Sequence, residues 1–162
     1  MPTTRPGFLA IEDITVSATP EGLNELQVLL ERFWHVVDRV CVHPPDGAWR
    51  SQFDIAVWEI GTNIVCHAYP SPREASGMLG LRLRLFVDRV EARFADQGIA
   101  YPIPEQAEPM PSLDNDPFNW PESGFGLPVA RAALDQLRYR RTQEQTNCWR
   151  LVKRFPSPFC ST

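Results

Sequence analysis

Residues 80–95 alternate with a period of two. In GLRLRLFVD, Leu81, Leu83, Leu85 and Val87 fall on one side and Arg82 and Arg84 on the other, and VEARFAD repeats the pattern after a turn at Asp88-Arg89. Such alternation predicts an antiparallel hairpin. A sheet with one apolar face has to be covered by a second layer, and the preceding residues supply it. LAIEDITVS, residues 9–17, reads as a first strand. Thr19 then caps a helix with Pro20 at its first position, and Leu23, Leu26, Leu29, Leu30, Phe33, Val36 and Val37 recur at helical spacing. The turn-rich His43-Pro44-Pro45-Asp46-Gly47 ends it. A second helix is predicted from near Ser51, with Asp54 as a capping-box partner, to near Ala68, because Pro70 and Pro72 cannot continue the ladder.

Beyond the hairpin, residues 99–123 carry six prolines and no persuasive period. A long irregular stretch of this kind reads as a functional lid or surface loop. A short helix follows in LPVARAALDQL, then strands in LRYRRTQ and CWRLVKRF, and a loose tail over 156–162. The order predicts one domain with a core over about 8–155, an α/β (α+β) two-layer sandwich. Its sheet is largely antiparallel or mixed, with helices on one face. Repeated βαβ units and a GxGxxG after the first strand, the marks of a doubly wound dinucleotide-binding fold, are absent.

The formal charge is −4 and no dense Lys/Arg block occurs, so neither a nucleic-acid backbone nor an anionic membrane is expected as the main partner, although a local basic patch stays open. No apolar run approaches the length of a membrane span, and MPTTRPGFLAIEDITVSA lacks a long apolar core, which leads to the expectation of a soluble cytoplasmic protein. Cys41, Cys66, Cys148 and Cys160 are irregularly spaced without a CxxC pair and read as reduced, structural thiols.

Three blocks remain. FDIAVWEIGTNIVCHAYP puts Glu59 and Asn63 one helical turn apart, on the edge of a face made by Phe53, Val57, Ile60 and Ile64. Asp96-Gln97-Gly98 closes the hairpin's second strand, and Gly124-Phe125-Gly126 precedes a helix. Taken singly, these are a solvent edge, a turn and a tight connection. Together and in this order they resemble the ATP-binding fold shared by gyrase, heat-shock-90, histidine-kinase and MutL proteins, in particular its bacterial anti-sigma-factor serine kinase branch. FDIAVWEIGTNIVCHAYP is similar to that branch's N-box, ADQGIA to its adenine-binding box, SGFGLPVARAALDQLRY to its glycine box, and TNCWRLVKRF to its last strand.

The resemblance implies roles. Asn63 matches the ligand of the Mg2+ that rides on ATP phosphates, and Glu59 the residue that orients or deprotonates the attacking group. Asp96 matches the acceptor for the adenine amino group, with Gly98 allowing close approach. Gly124, Phe125 and Gly126 form the phosphate-side turn and Leu127 begins the helix. Magnesium accepts oxygen ligands and retains waters, so one Asn oxygen plus phosphates suffices, and a glycine turn into a helix presents N–H donors to phosphate. The implied function is a serine/threonine kinase acting on a STAS-type anti-sigma antagonist, able to hold a sigma factor and to homodimerise away from the ATP pocket. A non-catalytic, nucleotide-responsive binding module of the same ancestry, and an α/β domain without nucleotide, are the other readings.

Other polar residues have plainer explanations. His67, by angular count, lies near the buried face beside Ala68 and Tyr69. His35 and His43 lack nucleophilic partners, and Ser51 and Thr62 fit capping and packing. Gly61 costs the helix roughly 1 kcal/mol relative to alanine unless it makes room for a neighbour or nucleotide. Ala100 and Ser123 stand where the family often has glycine.

Overall fold

The computed structural model describes residues 7–70, 77–102 and 126–156. Its elements run β1 (Phe8–Ser17), α1 (Pro20–Val40), α2 (Gly47–His67), β2 (Met78–Phe86), β3 (Arg89–Asp96), α3 (Gly126–Ala133), β4 (Gln136–Arg141) and β5 (Asn147–Arg154). The five strands form one sheet in the order β1-β2-β3-β5-β4. Every pairing is antiparallel, so the described sheet is not mixed.

The period-two reading of the hairpin holds in three dimensions. Leu81, Leu83 and Leu85 lie opposite Phe94, Ala92 and Val90 and are buried under the helices. Strand β2 ends at Phe86, so Val87, expected on the buried side, sits in the turn and is exposed. Phe33 and Trp34 of α1 and Phe53 of α2 complete the core over this row. Trp34 also meets Phe53 edge-on with ring centres 5.9 Å apart. Removing one such aromatic ring typically costs about 3–5 kcal/mol.

Helix α1 begins as expected, with Thr19 Oγ1 accepting from Gly22 N. Helix α2 begins four residues earlier than predicted. Its cap is Asp46, whose carboxylate accepts from Trp49 N at 2.8 Å. An aspartate already set in extended backbone satisfies an early N–H directly, which leaves Ser51 inside the helix, bonded to Gly47 O. Asp54 does not cap; its carboxylate accepts from Trp34 Nε1 at 2.8 Å and ties α2 to α1. Gly61 makes room for packing: a Cβ there would lie 3.2 Å from Leu23 Cδ2. His67 is exposed rather than buried, while Ile64 and Ala68 on either side of it carry the core contact at the end of α2. Cys41, Cys66 and Cys148 form no disulfide among the described residues, and Cys66 is exposed. Cys160, most of the expected lid and all of the tail but Pro156 fall outside the described residues.

Helix α3 packs on α2. Its far end is fixed by Lys153, which donates to Ala133 O and to Gln52 Oε1, each at 2.8 Å. Among the described residues no helix is long and apolar enough to cross a membrane.

Candidate functional site

The middle of α2 and the start of α3 meet at Glu59 and Asn63. A Cβ added to Gly126 would lie 2.6 Å from Glu59 Oε2 and 3.7 Å from Asn63 Oδ1. Only the missing side chain at Gly126 allows α3 to begin this close to both groups. From Gly126 onward α3 is described, and the Leu127 side chain is buried in the core. Its first described turn lies beside the half-buried Glu59 and Asn63. Neither of these two side chains is tied by a hydrogen bond or ion pair among the described residues. Gly124 and Phe125 lie outside the described residues.

The second centre is built differently. Asp96 is only 3% exposed at the end of β3. Its Oδ1 accepts from Gly98 N at 2.9 Å and from Asn147 Nδ2 at 2.8 Å. Its Oδ2 is buried without a donor among the described residues. Buried acceptors are rarely left unpaired, so this oxygen is a sign of a ligand. Burial pushes the Asp96 carboxyl above the usual carboxylate range, against the hydrogen bonds from Asn147 and Gly98 and the charge of Arg141.

The chain after Asp96 is held residue by residue. Gln97 N donates to Tyr69 Oη at 3.0 Å, Gly98 N to Asp96, and Ile99 N to Ala68 O at 2.8 Å. A Cβ on Gly98 would sit 2.3 Å from Ala68 O. Gly98 is therefore required first by the end of α2, where the sequence pointed to the space below an adenine ring. Asp96 and Gly98 line a cavity of about 680 Å³ that Glu59, Asn63 and Gly126 do not border.

Asn147, 2% exposed, is the hub that sequence reasoning missed. It stands opposite Asp96 in the β3–β5 register. Its amide also donates to Ile99 O at 2.9 Å, while its Oδ1 accepts from Tyr139 Oη at 2.6 Å and Arg141 Nη1 at 2.8 Å. Arg141 further donates to Gly98 O at 2.9 Å. The only hint in the sequence is a poor strand former at the head of a strand.

Helix α2 links the two centres. Glu59, Asn63 and Ala68 mark a distance of roughly 13 Å along its axis at 1.5 Å per residue. A carboxylate and an amide oxygen stand at a helix N-terminus near its middle, and an orphaned carboxylate oxygen lies beyond its end.

The chain matches the histidine kinase-like ATPase domain over residues 16–153. It is 31% identical over 94 residues to the serine-protein kinase RsbW of Bacillus cereus (strain G9842), covering 57% of each chain. Against the serine-protein kinase RsbW of Bacillus licheniformis it is 33% identical over 86 residues, 52% of each chain. Against that of Bacillus subtilis (strain 168) it is 32% identical over 88 residues, again 52% of each. The chain spans about half the length of these relatives. A match that reaches from the end of β1 into β5, and takes in both centres, makes this chain a member of the histidine kinase-like ATPase domain family.

Proposed function

We propose that the chain is an ATP- and magnesium-dependent protein serine/threonine kinase of an anti-sigma switch, with a serine or threonine of a STAS-type antagonist as its acceptor. The observation that carries this reading is the meeting of Glu59, Asn63 and Gly126 at the start of α3. The residues present fit the nucleotide. Asp96 Oδ2 is a buried acceptor that lacks a donor, as an amino group on a purine requires. Asn63 offers a neutral oxygen suited to a hard cation, and the α3 N-terminus offers N–H groups suited to phosphate oxygens. Gly124 and Phe125, outside the described residues, are assigned to the phosphate side in the same reading.

Bound magnesium supplies charge neutralisation on the phosphates. The chain's own residues do the rest. Asp96 and the pinned 97–99 segment orient the base, Asn63 holds the metal from the side of α2, and the α3 N–H groups align the phosphates. Glu59 accepts the proton of the incoming hydroxyl. Most of the acceleration comes from alignment and charge stabilisation. Ile55, 47% exposed and one turn before Glu59, and Trp58, 41% exposed beside it, give a protein acceptor an apolar foothold at the reacting end. Sequestration of a sigma factor when the antagonist is unavailable, and homodimerisation away from this site, belong to the same reading.

The test is transfer of label from γ-labelled ATP to a STAS-type antagonist in the presence of magnesium. Transfer abolished by E59A and N63A supports the kinase. Tight binding of a sigma factor without transfer by the unmutated protein sinks it in favour of the non-catalytic, nucleotide-responsive module.

A further inference from the structure

The face of the sheet turned away from the helices is a basic groove on an acidic chain. Arg82, Arg93, Arg150 and Arg138 stand directly opposite one another across β2, β3, β5 and β4. With Arg84 and Arg140 they bring six arginines to a cavity of about 920 Å³ whose one acidic lining residue is Asp13. The chain as a whole carries −4.

Like charges in directly opposed cross-strand positions destabilise a sheet. Internal compensation is partial. Arg82 pairs with Asp13 at 2.9 Å, and Glu91, buried beneath the groove, is held by Arg93 at 2.5 Å and Arg150 at 2.6 Å. Arg84, Arg138 and Arg140 have no ion pair among the described residues. The Nε of Arg84 is buried without an acceptor. Burial, and then the charge of Arg93, pull the Arg84 guanidinium's pKa down. The β1 end of the same face is apolar: Phe8, 51% exposed, has the Arg84 guanidinium 6.0 Å from its ring centre, and Ile11 is exposed opposite Arg84.

We propose that this groove docks an acidic amphipathic helix of a partner protein, lying across the strands with carboxylates over the arginine ladder and apolar residues over Phe8 and Ile11. Strands lie about 4.8 Å apart, and carboxylates three or four residues apart on a helix lie about 5–6 Å apart, so successive turns meet successive arginines. A long nucleic acid fits less well, because beyond the groove it meets the chain's negative charge and the apolar flank. The proposal does not use Glu59, Asn63 or Gly126, since the groove and α2 lie on opposite faces of the sheet; the groove does share Thr15, Gly80 and Ala95 with the cavity at Asp96.

Fluorescence anisotropy tests it, using the full chain and a labelled helical peptide with glutamates on one face and leucines on the other. Saturable binding is expected, weakening as salt shortens the Debye length from about 30 Å to about 8 Å. R138E/R140E, at two exposed and unpaired positions, should weaken it by at least about tenfold, and R138Q/R140Q by less, with unchanged circular dichroism. Absence of saturable binding, or equal binding by R138E/R140E, overturns the proposal. Tighter binding of a single-stranded oligonucleotide of equal charge overturns the choice of a protein partner. A wild-type dimer that R138E/R140E converts to a monomer, with no peptide bound by either, assigns the face to a second copy of the chain and overturns the proposal as well.

Discussion

The two ends of the proposed nucleotide site are built on opposite principles. Around Asp96 almost every polar group is tied: three successive N–H groups are anchored, Asn147 serves five partners, and one carboxylate oxygen alone is left over. The Glu59 and Asn63 side chains have no hydrogen bond or ion pair among the described residues. The difference separates recognition from reaction. In the proposed function the base-binding end is preorganised, so that a ligand finds its acceptor fixed, whereas the oxygens at the reacting end, untied among the described residues, serve groups that change charge.

The largest effect expected from that contrast is at Glu59. E59Q should lower phosphoryl transfer by about 10²–10⁴-fold while ATP affinity, measured calorimetrically, stays within about threefold and the melting temperature does not move. A fall in stability would show that Glu59 is part of the framework and erase the contrast.

The two close-approach glycines sharpen it further. In G98A the new Cβ meets backbone at Ala68 O, which cannot yield cheaply, and urea unfolding should show a loss of about 3 kcal/mol or more. In G126A the new Cβ meets the free end of the Glu59 side chain, which can swing aside. Stability should then change by less than about 1 kcal/mol, while transfer falls because Glu59 is displaced. Next in size is N147A. It strips donors from Asp96 and Ile99 and an acceptor from Arg141 and Tyr139, for a loss of about 1–3 kcal/mol in the same unfolding assay, with weaker ATP binding.

The smallest effect is in pH. The Asp96 carboxyl is raised by burial, so between its unfolded and folded values the native state holds more protons than the unfolded one. Its contribution to stability therefore rises as pH falls through the folded value and levels off below the unfolded value. The wild-type minus D96N difference in unfolding free energy without nucleotide should follow that trend. ATP affinity should move the opposite way, because protonation weakens Asp96 as an acceptor. Parallel trends in the two measurements would remove Asp96 from base recognition.

Much of this was readable from residue order. The helical period of α1 and the period-two hairpin followed from local side-chain patterns, and Glu59 with Asn63 followed from the pitch of one helix. The short α3 was placed but extended too far, since it ends at Ala133, and Gln136 and Leu137 already belong to β4. The start of α2 was misplaced because Ser51 and Asp46 are both good caps and only the backbone path chooses. His67 was misread because an angular count fixes a direction around the helix but not which of neighbouring residues, here Ile64 and Ala68, takes the core contact at its end. Asn147 was invisible for a deeper reason: its role exists only through a strand register that joins residues far apart in the chain, and no local pattern encodes that pairing.

Helix α2 carries a further consequence as a spacer of fixed phase. Glu59 and Asn63 face α3, while Ala68, five residues past Asn63, receives Ile99 and blocks any side chain at Gly98. One residue inserted between Asn63 and Ala68 would turn one centre by about 100° about the axis relative to the other and shift it by about 1.5 Å. The exposed Cys66 and His67 can be exchanged more freely than the buried Ile64, but the number of residues cannot change. The segment IVCH is thus constrained by its length as well as by its buried letter, as a gear is constrained by its count of teeth.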